Sequence, residues 1–235
     1  MKVAIMQPYF LPYIGYFQLI ESVDLFVLYD DIKYTKKGWI NRNRILQRGQ
    51  ETLISLPLKN DSDALDVCDR QLAADFNKTK VLNRIAEAYR KAPYLEKAFP
   101  VIERIVSHDE YNLFRFLHHS IVEICGYLAI ATEIAVSSTL KVDPTLKGQD
   151  KVIALCGRVG ADVYVNAIGG VHLYSPEVFR SARLELKFIR SGPFEYRQFG
   201  ETFVPFLSIV DVMMFNQVDV IRQCLTSNYA LISPP

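Results

Sequence analysis

Val3-Ala4-Ile5-Met6-Gln7-Pro8, then Ile14 to Ser22, then Asp24-Leu25-Phe26-Val27-Leu28-Tyr29-Asp30-Asp31 is the stretch that decides the fold. The first apolar run stops at Gln7-Pro8, where proline removes a backbone donor, so it reads as a buried strand breaking into a loop. The second run is rich in strand formers and ends at two acids. With the helical pattern of 14–22 between them, the stretch is a βαβ unit, whose parallel strands need that crossover. Further along, Glu133 to Ser137, Ala161 to Asn166 and Leu184 to Ile189 read as strands and Lys151 to Val159 as a helix. Both ends of the chain thus feed one sheet, and the fold class is α/β with an open, mostly parallel sheet.

Between these two groups the periodicity changes. Val81, Ile85, Ala88 and Tyr89 share one helical face and Leu113, Leu117, Ile121 and Ile124 another, with Pro93 and Pro100 as punctuation. This predicts an inserted helical lobe over about 75–130. An open α/β sheet places its ligand where loops leave the carboxyl ends of strands, which selects 7–13, 30–44, 137–150 and 166–172.

Composition narrows the function. The 235 residues carry 27 Lys+Arg against 26 Asp+Glu, a formal net charge of +1, with 50% hydrophobic residues. Such a chain folds, and its balance of charge argues against nucleic acid as a partner. The greasiest stretch, Ile121 to Ala135, carries Glu123 and Glu133, so no membrane insertion is expected. The apolar start before Gln7 is too short for a signal segment. Cys68, Cys125, Cys156 and Cys224 are scattered with no Cys-x-x-Cys pair, as reduced buried thiols in a cytoplasmic protein would be.

The loops hold the unusual residues. Residues 7–17 contain five aromatics and two prolines. Tyr9, Tyr13 and Tyr16 suit a packed stripe as well as a ligand contact, whereas Gln7, an amide just past a strand end, suits a polar ligand. In 30–44 and just beyond, Lys33, Lys36, Lys37, Arg42, Arg44 and Arg48 form a cationic run without an acid, interrupted by the sole Trp39. Lys36, Arg42 and Arg44 are expected to bind phosphate, Trp39 to stack on a ring, and Asn41 and Asn43 to hold hydroxyls. A solvated basic turn is the plainer alternative. Asp30-Asp31 reads as an acid/base or Mg²⁺ pair or as an ordinary turn. Ser137, Ser138 and Thr139, with Lys147 or Lys151, present donors for a phosphate or cap a helix. Asn166 with Gly169-Gly170 allows close backbone approach to a ligand, and His172 follows. His118-His119 with Glu123 lacks a third metal ligand, and no metal site is expected. Phe203 to Asn216 reads as an apolar helix capped by Ser208, with Asp211 completing the capping box. No Walker loop, Gly-x-Gly-x-x-Gly or Gly-x-Ser-x-Gly occurs.

Gln7-Pro-Tyr-Phe-Leu-Pro-Tyr-Ile-Gly-Tyr-Phe17, Lys36-Lys-Gly-Trp-Ile-Asn-Arg-Asn-Arg-Ile45, the Gly169-Gly170 turn and Pro205 to Asn216 together resemble the WbqC-like family. Met6 and Tyr13 stand where many members have His and Trp. The likeness runs nearly end to end, so 1–235 is expected to form a single α/β domain. A more distant analogy is to the HUP, or nucleotidyltransferase-like, fold, whose His-x-Gly-His is Tyr13-Ile14-Gly15-Tyr16 here. The resemblance implies bacterial O-antigen or lipopolysaccharide precursor synthesis. The activity it implies is transfer of an aminoacyl group such as glycyl, or an acyl group, to the amine of a nucleotide-linked amino sugar.

In that reading the partners are the nucleotide amino sugar and an activated acyl or amino-acid donor. Asp30 or His172 takes the amine proton. Gln7, Tyr9, Tyr13, Lys36, Trp39, Asn41, Arg42, Asn43, Arg44, Ser137, Ser138, Asn166, Gly169 and Gly170 bind substrate. ATP and Mg²⁺ serve if the donor is an adenylate made in the same site. The tyrosine-rich surface suggests a homo-oligomer. The alternative is a nucleotide-sugar binding or assembly protein without chemistry.

Overall fold

The computed structural model describes residues 1–234. It is α/β, as the periodicity predicts. β1 (Lys2–Met6), α1 (Ile14–Glu21) and β2 (Leu25–Leu28) make the opening βαβ unit, with Val3 beside Leu25 and Met6 beside Leu28. A hairpin follows, β3 (Arg42–Gln47) and β4 (Gln50–Ser55), turning at Arg48 and Gly49 with φ of 54° and 76°. Two positive φ values in a two-residue turn match the twist of a hairpin. The hairpin corrects the reading of 30–44 as a loop throughout, because Arg42, Asn43 and Arg44 lie on β3. Its alternation is masked by cations and amides, which hid the strand.

The helical lobe is α2 (Lys78–Tyr89), α3 (Leu95–Ser107) and α4 (Leu113–Tyr127). Asn77 and Asn112 cap α2 and α4, their side chains accepting from Lys80 N and Arg115 N. Pro100 does not end a helix: it lies inside α3 on the exposed side, and burial of Ala98, Val101, Ile102 and Ile105 carries the helix through.

The chain then returns to the sheet through β5 (Glu133–Val136), α5 (Gly148–Val159), β6 (Val163–Ala167), α6 (Pro176–Ser181) and β7 (Glu185–Ser191). A long irregular strap leads to α7 (Ile209–Phe215), α8 (Val218–Ser227) and β8 (Tyr229–Ile232). Sheet order is β5-β2-β1-β6-β7-β8, with β8 antiparallel to β7 and the other pairs parallel. Strand alternation sends Ala4, Phe26, Leu28 and Val165 into the core beneath α1, α7, α8 and the lobe. Val3, Ile5, Leu25, Val27 and Tyr164 face the opposite core, which includes Val152 and Leu155 of α5 and Phe179 of α6. Connections leave β1 and β6 in opposite directions, so the strand order reverses between them. That reversal opens a crevice at their carboxyl ends.

The strap is moored by Asp211, which is fully buried and accepts from Tyr89 Oη at 2.8 Å, Tyr196 Oη at 2.7 Å and Gln198 Nε2 at 2.7 Å. It completes no capping box; Ser208 alone caps α7, accepting from Val210 N at 3.2 Å and donating to Leu11 O at 2.7 Å. Burial raises the Asp211 pKa, while the donors from Tyr196, Gln198 and Tyr89 hold it down in part.

Candidate functional site

The crevice between β1 and β6 is occupied by a cleft of about 270 Å³. Tyr9, Tyr13 and Gly15 wall it on the β1 side, and Asn166, Gly169 and Gly170 on the β6 side. Two glycines give it its shape. A Cβ on Gly15 would collide with the Tyr13 ring, which lies across the first turn of α1. A Cβ on Gly170 would sit 2.6 Å from Asn166 Oδ1. Asn166 is 5% exposed and donates through Nδ2 to Tyr164 Oη at 2.5 Å and Tyr174 Oη at 3.1 Å, which fixes the amide. Its Oδ1 has no partner among the described residues. Burial raises the pKa of both Tyr9 and Tyr13, so each hydroxyl keeps its proton as a hydrogen-bond donor.

A second cleft of about 200 Å³ adjoins the first through Tyr9 and Tyr13, and its other walls include Trp39, Asn43, Arg44 and Phe206. The first two sequence blocks meet here because their backbones are stitched together. Phe10 N donates to Trp39 O at 3.2 Å, and Asn43 Nδ2 donates to Phe10 O at 3.0 Å and Leu11 O at 2.8 Å. Asn43 Oδ1 accepts from Arg44 N, so this amide, 4% exposed, is fully engaged by the protein. Asn41 is half-buried and engaged in part, donating to Leu56 O at 2.8 Å and accepting from Tyr34 Oη at 2.8 Å. Both amides, read as partners of substrate hydroxyls, make bonds within the protein that shape the site.

The cationic run divides. Arg44 stays at the cleft, with its guanidinium 5.1 Å from the Trp39 ring centre and Nη1 on Glu51 at 2.6 Å. Its Nε is buried without an acceptor among the described residues, and a buried donor of this kind calls for a partner. Arg42 lies 5.9 Å from the same ring and donates to Gly38 O at 3.0 Å and Lys37 O at 2.5 Å, which fixes the turn before β3. Lys36 points elsewhere: its Nζ pairs with Asp63 at 2.8 Å, and the Lys36 hydrogen bond lowers the Asp63 pKa first of all. The run is acid-free in sequence only, because 61–66 folds back beside 33–36.

The end of β2 tells a different story. Asp30 is 2% exposed; Oδ1 accepts from Ser137 Oγ at 2.8 Å and Ser138 N at 3.0 Å, and Oδ2 from Ser138 Oγ at 2.7 Å. Asp31 accepts from Ser137 Oγ and from Lys151 Nζ, the latter at 2.8 Å. Burial pulls the Lys151 pKa down, but its hydrogen bond to Asp31 and the neighbouring Tyr29 and Asp66 charges leave it raised overall. Asp30, Ser137 and Ser138 are therefore a lock between β2 and the turn Ser137–Leu140. Asp30, read as a proton acceptor, and Ser137 and Ser138, read as substrate contacts, are bonded to one another in this structure. Among the described residues no group of three or more His, Cys, Asp or Glu could hold a metal ion.

Gln7 lies in the loop after β1, half-buried, with no side-chain partner among the described residues. His172 is exposed on the turn Ile168–Leu173, which also carries Gly169 and Gly170, but does not wall the cleft. Burial pushes the thiols of Cys68, Cys125 and Cys156 up to about 12, which disfavours the thiolate. Two features escaped the sequence reading. Phe206 lies outside the apolar helix, which Ser208 caps, and it is 71% exposed. Lys151, read as a phosphate partner, serves Asp31; nothing in its local sequence shows that.

A model of the WbqC-like protein family matches residues 7–223. The chain is 29% identical over 231 residues, 95% of its length and 98% of the relative's, to the "Uncharacterized protein Rv1507c" of Mycobacterium tuberculosis (strain ATCC 25618 / H37Rv). No solved structure matches. No helix among the described residues is long and apolar enough to cross a membrane.

Proposed function

Because this chain belongs to the WbqC-like protein family, we propose that its paired clefts bind a nucleotide-linked amino sugar and pass an acyl or aminoacyl group to the sugar's amine, in surface-glycan precursor synthesis. The observation that carries this reading is the joining of two unlike clefts at the β1/β6 reversal. One is floored by small residues and a fixed amide, and the other is aromatic with an arginine in its wall. A diphosphate pairs with the Arg44 guanidinium in the cleft wall. Aromatic rings of Tyr9, Tyr13 and Trp39 offer faces to a base or sugar. Asn166 Oδ1 accepts from a hydroxyl or from the amine, and Gln7 supplies a second amide.

In the transfer, the amine nitrogen bonds to the carbonyl carbon of the donor and the bond from that carbon to its activating atom breaks. The proton released by the amine passes through water to His172, which lies on the glycine turn outside the cleft wall. For ATP with Mg²⁺ the fit is poor at the end of β2, because Asp30 and Asp31 are engaged by Ser137, Ser138 and Lys151. No step here runs through a metal. That same engagement favours one other reading, a nucleotide-sugar binder without chemistry, since it removes the more buried of the two candidate bases.

The test is a thermal-shift and calorimetric screen of UDP- and dTDP-linked amino sugars, repeated on Arg44→Ala and His172→Asn. A ligand at about 100 times its Kd stabilises by about 2.7 kcal/mol. Binding lost in Arg44→Ala supports the cleft. Amide formation lost in His172→Asn with binding intact supports the transferase, and unchanged pathway function in that variant supports the binder. No shift with any nucleotide sugar rejects both.

A further inference from the structure

Phe206 adopts φ of 56°, a left-handed conformation that bulky residues rarely take, with its ring largely exposed. It is held from both sides: Arg44 Nη2 donates to its carbonyl at 3.5 Å, and Ser208 N donates to Arg44 O at 2.8 Å. An exposed aromatic kept in a strained backbone marks a working position. On one side of Phe206 lies the cleft of Trp39 and Arg44. On the other side is a groove of about 650 Å³, which shares Tyr13 and Phe206 with that cleft.

The groove has its own chemistry. Ile14, Phe194, Phe203, Pro205 and Leu207 wall it, Glu195 is its one charged lining residue, and no Lys, Arg or His lines it among the described residues. It therefore offers nothing to a phosphate, and Glu195 turns an anion away. Its outer wall is preformed, because Tyr196 and Gln198 moor the strap to buried Asp211. A glycyl group would leave most of such a space empty, while the volume lies within the range that encloses ligands of drug size.

We propose that this groove is the acyl subsite and takes the uncharged hydrocarbon chain of an acyl thioester, with the thioester carbonyl at Tyr13 beside the sugar amine. The proposal rests on the transferase reading above and selects an acyl chain over a glycyl group. In the step, the amine nitrogen bonds to the carbonyl carbon, the carbon–sulfur bond breaks, and the thiolate leaves and takes up the proton that the amine releases.

The probes are N-acetylcysteamine thioesters of straight-chain acids from acetyl to decanoyl, titrated calorimetrically into the full chain, with a UDP-linked amino sugar titrated in parallel. Affinity is expected to rise about fourfold per added methylene until the groove is full. Thr202→Trp places a large side chain at an exposed position of the groove wall. It is expected to weaken the longest chain by about tenfold or more and to leave the nucleotide sugar unaffected. Affinity that ignores chain length, or survives Thr202→Trp, overturns the acyl subsite and leaves the nucleotide-sugar reading standing. Chain-length dependence in a protein that binds no nucleotide sugar overturns the transferase reading, and the groove's role as its acyl subsite falls with it.

Discussion

Two strand ends on the same edge of one sheet have opposite fates. At the end of β2, Asp30, Asp31, Ser137, Ser138 and Lys151 satisfy one another within hydrogen-bond distance. At the reversal between β1 and β6, Asn166 Oδ1 and Gln7 carry polar atoms without partners among the described residues, and nearby Arg44 Nε is buried without an acceptor among them. Both ends look equally chemical in sequence, with acids and hydroxyls at one and amides and glycines at the other. The difference teaches that a polar group whose bonds are completed by its own protein builds structure, whereas one held in place but left incomplete is available to a ligand.

Asp30→Ala separates the two ends most sharply. It removes the acceptor of Ser138 N and Ser138 Oγ and leaves Ser137 Oγ to Asp31 alone, and a loss of about 2–3 kcal/mol in urea unfolding is expected. At about 2–4 °C per kcal/mol for a chain of this size, the melting temperature should fall by roughly 4–12 °C. Addition of a saturating nucleotide sugar should still raise it; a stable Asp30→Ala protein that has lost only turnover would restore Asp30 to the chemistry.

Arg44→Ala should do the reverse. Loss of a charged hydrogen bond to phosphate costs about 1.5–3 kcal/mol, a fall in affinity of about 10- to 100-fold. Its pair with half-exposed Glu51 and its contact with Trp39 contribute about 1 kcal/mol each or less to stability. Calorimetry beside urea unfolding reads both quantities from one preparation, and a variant that unfolds early yet binds normally would contradict the division.

A smaller effect distinguishes the strap from both ends. Asp211 has a raised pKa in the fold, so the folded state binds its proton more tightly than the unfolded state does. Stability from this group is greatest below the ordinary carboxylate value of 3.8 and is lost as pH rises through its folded value. Stability curves of the wild type and Asp211→Asn against pH should therefore converge towards acid and separate above it, with the wild type falling relative to the amide. Parallel curves would remove the charge from the account. The smallest effect is expected of Lys36→Ala, whose pair with Asp63 is solvent-exposed: neither nucleotide-sugar affinity nor melting temperature should change measurably, and a clear loss of affinity would return Lys36 to the phosphate site.

Local pattern was enough for the βαβ opening, the lobe and the later strands, because Val3 to Met6, Leu25 to Leu28 and Val81 to Tyr89 bury residues at periods that a single segment displays. The hairpin was not legible: β3 reads Arg-Asn-Arg, and only its neighbours bury Asn43 beneath Phe10 and Leu11. Site residues on β1 and β6 were named from the strand-end rule, which needs only the sheet. Partners decided the rest. Asp63 lies 27 residues from Lys36 and Ser137 lies 107 from Asp30, separations over which a sequence gives no hint of pairing. Asp211 read as a helix cap because its three donors come from 89, 196 and 198.

The most direct test places a side chain in the cleft itself. A Cβ on Gly169 meets nothing within 4 Å, yet Gly169 lines the cleft at the β1/β6 reversal. Gly169→Phe should therefore keep the melting temperature of the wild type and bind a UDP-linked amino sugar more weakly by about tenfold or more, measured by calorimetry. Equal affinity in the two proteins would contradict a ligand site at that reversal.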